Sequence, residues 1–189
     1  VNAMSTRMAA RDDAPRVIPL LLDAIGEIAY LLTGASDEAD CARRLTDFFK
    51  QPGNRISREH VIVDERDGVI AGMIVAYSGN DAQVLDEPFL ERMRRDFGEA
   101  EREIVKEARN GEYYIDALAV AEDYRGQGIA KALMAAAEQR GRELGFERAS
   151  LIVESYNERA YGIYGRAGYI EDGLLRIGGS DYRRMVKRL

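Results

Sequence analysis

The residues best suited to chemistry in this 189-residue chain lie in one run, Leu118-Ala-Val-Ala-Glu-Asp-Tyr-Arg-Gly-Gln-Gly-Ile-Ala-Lys131. An apolar strand breaks there into a glycine turn, and a long helix opens after it. The first peptide N–H groups of a helix have no internal acceptors and sit at the positive end of its dipole, so such a junction attracts phosphate. Gly126 and Gly128 remove the side chains that would hold an anion off those amides, and Arg125 adds a charged donor beside them. A second oddity lies just upstream. Asp116 interrupts the apolar strand, where a carboxylate needs a partner or a role. Strand alternation puts Glu112 on the same face unless a bulge intervenes. Both acids also have plain readings, Asp116 as a structural hydrogen-bond partner and Glu112 as the solvated start of its strand.

These residues need a scaffold, and the periodicity of the chain supplies one. Val17, Leu20, Leu21, Ala24, Ile25 and Ile28 recur at helical spacing, predicting one helix over 12–32 with a single buried face. A second helix is expected over 37–50, ending before Pro52-Gly53, with Asp37, Glu38 and Asp40 as its acidic first turn. Residues 59–64 and 69–77 read as two antiparallel strands around an Asp67-Gly68 hairpin turn. The charged stretch 78–110 reads as a helical insertion with Pro88 as a first helical residue and Phe89, Leu90, Met93 and Phe97 at helical spacing. Residues 113–120 form the most apolar strand candidate. The helix after the glycine turn carries Ile129, Leu133, Met134, Ala137 and Leu144 on one face and Glu138, Gln139, Arg142 and Glu143 on the other, with Gly145 as its cap. A short strand over 148–153 follows, then a helix capped by Asn157, bearing Ala160, Ile163, Tyr164 and Ala167 and stopped by Gly168. Strands from Tyr169 and over 182–189, joined through Gly178-Gly179, complete a mixed sheet with helices on its faces.

Composition narrows the function classes. A hydrophobic share of 46% with 32% charged residues is that of an ordinary globular chain, long enough for one domain with its own core. No run approaches the ~18 apolar residues of a membrane span and no secretory signal pattern opens the chain, which predicts a cytoplasmic protein without a membrane partner. The single Cys41 excludes an internal disulfide, and with His60 alone beside it there are too few soft ligands for a zinc site, so no metal is expected. A formal net charge of -6 argues against nucleic acid, which needs a concentrated basic surface. Residues 1–3, ahead of Met4, read as a remnant outside the fold, which leaves 4–189 as a single domain.

The run from Leu118 to Lys131 resembles the acetyl-CoA signature of the GNAT superfamily of N-acetyltransferases, Arg/Gln-x-x-Gly-x-Gly/Ala, with Arg125, Gly128 and Ala130 in register. The resemblance runs on through Asn157, Tyr164 and Gly168-Tyr169, covering the chain well from about Glu112 onward and the first half only in its order of elements. It implies an α/β (α+β) fold with a mixed, mostly antiparallel central sheet, splayed at its middle and flanked by helices, with the 78–110 insertion between the third and fourth strands. It also implies a division of labour. The amides of Arg125, Gly126, Gln127, Gly128, Ile129, Ala130 and Lys131 would hold the CoA pyrophosphate, and the backbone of Leu118, Ala119 and Val120 would receive the pantetheine arm like an added strand. Asn157 would contact the cofactor's amide region. Tyr164 would aim its phenol at the thioester sulfur and protonate the departing thiolate, while Glu112, Asp116 or a chain of waters would take the proton of the attacking amine. The acceptor implied is a small-molecule or peptide amine. A lid over the amine site, a homodimer contact and simple packing are all open for the insertion.

Two rival readings belong to other classes. A dinucleotide-binding oxidoreductase draws on Gly126-x-Gly128 after a strand and Glu154 at the end of the next, but Lys131 stands where its third glycine belongs. A catalytically idle acyl-CoA-binding sensor would need the cofactor groove and not an acid at Tyr164.

Overall fold

The computed structural model describes residues 5–98 and 104–189; residues 1–3 and the middle of the 78–110 stretch lie outside the described residues. Seven strands among the described residues, β1 (Thr6–Met8), β2 (Val61–Arg66), β3 (Val69–Ser78), β4 (Tyr113–Val120), β5 (Arg148–Glu154), β6 (Ile170–Ile177) and β7 (Ser180–Arg188), form one sheet in the order β1-β2-β3-β4-β5-β7-β6. All neighbours are antiparallel except β4 and β5. The mixed, mostly antiparallel sheet expected from the sequence is therefore present. β1 carries too short an apolar pattern to be read from periodicity. The hairpin turn between β2 and β3 places Asp67 at φ 50° and Gly68 at φ 78°, the paired positive-φ geometry that matches strand twist.

Six α-helices among the described residues cover the two faces: α1 (Ala14–Ile25), α2 (Glu27–Thr33), α3 (Glu38–Lys50), α4 (Ala82–Phe97), α5 (Ile129–Glu143) and α6 (Glu158–Arg166). One core layer joins Leu21, Leu45, Phe49, Phe89 and Tyr114 beneath α1, α3 and α4. The other joins Ile129, Leu133, Met134, Leu151 and Met185 beneath α5. Cys41 is fully buried in the first layer, with Sγ 3.5 Å from the Thr33 hydroxyl. No helix among the described residues is long and apolar enough to cross a membrane.

Four expectations need correction. The single helix over 12–32 is two, because Gly26 takes φ 53° and ψ -126°, a conformation that L side chains avoid. The break changes the buried face: Val17, Leu20 and Leu21 point into the core before it and Ala29 and Leu32 after it, while Ile28 is 44% exposed. Pro88 lies inside α4, whose start is at Ala82; its missing N–H falls opposite the carbonyl of Val84 in the exposed first turn, where water can serve it. On α5, Leu144 is exposed and Glu138 is buried, because Glu138 accepts from Tyr169 Oη (3.1 Å) and pairs with Lys187 Nζ (2.8 Å) beneath the helix. His60 stands in a short 3-10 turn before β2 and not at the strand's start.

Candidate functional site

The sheet opens along β4. Val75 faces Ala117 while Ala76 faces Ile115, so Asp116 is the extra residue of a β-bulge. On its other side β4 pairs with β5 only through Tyr113↔Ala149 and Tyr114↔Ser150. Beyond those pairs the strands diverge, and the β5-facing edge of Ile115 to Val120 carries no ladder among the described residues. An unpaired strand edge inside a protein is a template for another extended chain.

At the end of β4 the chain passes a 3-10 turn over Glu122–Tyr124 and enters α5 through Gly126 (φ 77°) and Gly128 (φ 78°), both in the left-handed region that glycine tolerates. No Cβ clash would arise at either, so backbone conformation alone selects glycine there. Among the described residues, none of the six peptide N–H groups from Gly126 to Lys131 has an acceptor; the internal bonding resumes with Ala132 N–H to Gly128 C=O at 3.0 Å. Arg125 Nε donates to the Val120 carbonyl at 3.3 Å, which holds its guanidinium beside the turn.

Two cavities meet at the fork. One, of about 430 Å³, lies between α5 and α6 and is bordered by Leu118, Ala130, Lys131, Met134, Ile163 and Tyr164. The other, of about 230 Å³, lies over the opposite face of the fork, with Ile28, Arg55, Glu107, Asp116, Glu154 and Tyr164 in its walls. Leu118 and Tyr164 border both. Tyr164 is placed by α6, whose cap is Asn157: Oδ1 accepts from Ala160 N–H at 3.0 Å and leaves the Asn157 amide nitrogen uncommitted among the described residues. Burial, then the nearby Glu154 carboxylate, raises the Tyr164 phenol above its ordinary value. The carboxylate of Glu154, at the end of β5, has no hydrogen-bond or ion-pair partner among the described residues, while its carbonyl accepts from Asn157 N–H at 2.9 Å.

The second cavity is floored by a charged cluster that the sequence reading did not assemble. Arg55 comes from a loop in which Asn54 Nδ2 donates to the Phe48 carbonyl (2.8 Å) and Ser57 Oγ accepts from Asn54 N–H (3.0 Å). Its guanidinium reaches Asp116 (2.8 Å), Asp86 of α4 (3.3 Å) and Glu107 (3.9 Å). Tyr77 Oη donates to Asp116 at 3.0 Å, and Tyr114 Oη bonds to Glu107. Burial pulls the Arg55 guanidinium down, and Asp116, ahead of Asp86 and Glu107, more than offsets it, so Arg55 stays charged. Burial, against the pull of Arg55, pushes Asp86 up to about 6. Burial and the Asp116 charge push Glu107 up to about 7. The 78–110 stretch thus supplies two of the three carboxylates around Arg55 as well as apolar packing through Leu85, Phe89 and Ala108.

Glu112 is the sequence candidate that the fold sets apart. It pairs with Arg184 of β7, is 5% exposed, and is not among the residues bordering the cavity. Its position before β4 holds it to the sheet's far end. Asp116, by contrast, does border the cavity because the bulge carries it there. The residues missed were Arg55, Asp86 and Glu107. Arg55 follows a Pro-Gly connection and Glu107 an irregular stretch, so no periodicity marked them. Among the described residues no group of three or more His, Cys, Asp or Glu side chains is placed to hold a metal.

A sheet forked at a bulged strand, a glycine-led helix with free N–H groups among the described residues and two cavities that share Leu118 and Tyr164 at the fork define an acyltransferase-type architecture. Residues 24–169 match the Acetyltransferase (GNAT) family, and the chain belongs to that family. Over 97% of its length it is similar to an acetyltransferase of known structure, with 98% of that chain covered, a TM-score of 0.81 and 26% identity. It also shares its fold with an N-acetyltransferase from Staphylococcus aureus Mu50 (TM-score 0.78, 24% identity, 96% and 98% of the two chains). A mycothiol acetyltransferase from Propionibacterium freudenreichii subsp. shermanii is 44% identical over 59 residues, which is 31% of this chain and 18% of that protein. An uncharacterized N-acetyltransferase from Bacillus subtilis is 38% identical over 58 residues, 31% of this chain and 37% of that protein, so the matches span well under half of either relative. The oxidoreductase reading falls, since its parallel doubly wound sheet is not this one.

Proposed function

We propose that the protein moves an acetyl group from acetyl-CoA to a primary amine by direct attack within a ternary complex. The observation that carries this reading is that Tyr164 and Leu118 border both cavities, so a thioester lying along β4 would meet an amine from the opposite side. The six free N–H groups from Gly126 to Lys131 suit a diphosphate, with Arg125, Gln127, Ile129 and Ala130 contributing backbone or side-chain donors around the glycines. The open edge of β4 at Leu118, Ala119 and Val120 suits the pantetheine amides, and the free Asn157 amide group suits the same arm.

The chemistry then needs one acid and one base. The amine nitrogen bonds to the thioester carbonyl carbon, the carbon–sulfur bond breaks, and the thiolate takes the Tyr164 proton. A phenol raised by burial keeps that proton at neutral pH. The ammonium proton must leave before attack. Glu112 is closed in its ion pair and Asp116 is held by Arg55 and Tyr77, so we assign the proton to Glu107, whose value near 7 matches a base working at neutral pH. A β4 amide near Leu118 or Val120 would stabilise the developing oxyanion.

The test is a calorimetric titration with acetyl-CoA of the native protein and of Gly128→Glu. The variant puts a carboxylate on the anion site at a position with φ 78°, and acetyl-CoA affinity should drop by more than a hundredfold while circular dichroism stays native. Equal affinity overturns the reading. Tight binding by the native protein with no transfer to any amine tried would favour the sensor instead.

A further inference from the structure

Beyond the reaction class, the walls of the smaller cavity point to the kind of amine it accepts, an inference that rests on the transferase reading above. The charge in this cavity is one-sided. Glu107, Asp116 and Glu154 all belong to the sheet or to the segment leading into it, and Arg55, the one cation among the described residues of its walls, is saturated by Asp116, Asp86 and Glu107. The wall contributed by α1 and α2 carries no charge at all: it is made of Ala24, Ile25, Ile28 and Leu32.

Ile28 joins that wall because of Gly26. Ala24 and Ile25 stand on the last turn of α1 before the break, and on an unbroken helix Ile28 would continue the buried stripe of Val17, Leu20 and Leu21. The break at φ 53° turns Ile28 out of the core, where it stands 44% exposed and borders the cavity. Ile28, with Ala24 and Ile25 beside it in the same wall, gives the cleft an apolar surface that an apolar ligand would cover.

We infer that the acceptor is a small primary amine carried on an uncharged apolar body: its ammonium faces the carboxylates, and its aliphatic or aromatic part lies on Ala24, Ile25 and Ile28. A second cation would be stranded against this wall without a counter-charge. A carboxylate on the acceptor would find no free cation among the described residues of the cavity and three acids facing it.

Three amines of equal length isolate the claim: n-hexylamine, 1,5-diaminopentane and 6-aminohexanoate differ only in a terminal methyl, ammonium or carboxylate. With acetyl-CoA as donor, kcat/KM should be at least tenfold higher for n-hexylamine than for either charged analogue. Within n-butylamine, n-pentylamine and n-hexylamine, each added methylene should raise it roughly fourfold. Ile28→Asp, at an exposed position that spares the core, should lower n-hexylamine turnover about tenfold and leave 1,5-diaminopentane equal or improved. A diamine preferred by the native protein, or an equal loss for both amines in Ile28→Asp, overturns the inference. The same amines are titrated by calorimetry into protein saturated with CoA, which separates this claim from the one beneath it. Preferential n-hexylamine binding without turnover upholds the apolar acceptor and sinks the transferase reading; tighter diamine binding sinks the apolar acceptor whatever the turnover.

Discussion

The two sides of the fork are built from different materials. The α5–α6 side is made chiefly of backbone: an unpaired edge of β4, a pair of left-handed glycines and six N–H groups without acceptors. The opposite side is made of side chains drawn from the loop at Arg55, from α4 at Asp86, from the stretch at Glu107 and from the β4 bulge at Asp116. Backbone presents one fixed geometry for a constant ligand, whereas side chains can be exchanged without disturbing the sheet. On the function proposed above, a site divided in this way would keep its cofactor and be free to vary its acceptor.

Substitutions on the side-chain half should therefore change turnover and spare cofactor affinity, the inverse of Gly128→Glu. The largest effect is expected from Glu107→Gln. The amide keeps the bond to Tyr114 but cannot take a proton, so kcat/KM for the amine should fall by about 10² to 10⁴ with acetyl-CoA affinity within twofold. In the native protein the ionised form of Glu107 accumulates as pH rises through about 7, so kcat/KM should climb across that region and the climb should vanish in the variant. A variant that retains the same pH profile removes Glu107 from the reaction. Tyr164→Phe should cost less, on the order of 10² in kcat, because a thiolate is already a good leaving group. Loss of acetyl-CoA affinity without loss of kcat would place Tyr164 with the backbone half instead.

The same division explains what the sequence disclosed. The glycine turn, Asn157 and Tyr164 sit on regular elements at fixed spacing, and Leu118 and Tyr164 both border the two cavities at the fork. Strand limits at 113–120 and the Asp67-Gly68 turn were legible for the same reason, since alternation and turn chemistry are local. Gly26 was not, because a lone glycine inside an apolar stripe looks like a tolerated defect until its φ is known. The acid cluster was invisible on other grounds. Arg55 and Glu107 are brought together by tertiary packing across 52 positions of sequence, and neither falls on a periodic face. Glu112 and Asp116 looked equivalent by alternation; the bulge and Arg184 separate them.

The smallest predicted effect concerns stability and tests whether the acid cluster is strained. Glu107 has its folded value raised, from 4.5 to about 7, so the folded state holds that proton more tightly than the unfolded chain does. The sign follows: stability is greatest below about 4.5, falls as pH rises through 4.5 to 7 while the unfolded chain ionises first, and is level above that. Asp86, raised from 3.8 to about 6, adds in the same direction over a lower window. Glu107→Gln removes its share of this penalty, and should leave denaturant stability unchanged near pH 4 and increase it by about 1 to 3 kcal/mol at pH 8. Gain of stability with loss of turnover in one variant is the signature of an acid kept buried for use rather than for folding. Equal loss of stability at both pH values would mean that Glu107 holds Arg55 in place, and the assignment of the base would have to move to Glu154, the partnerless carboxylate beside Tyr164.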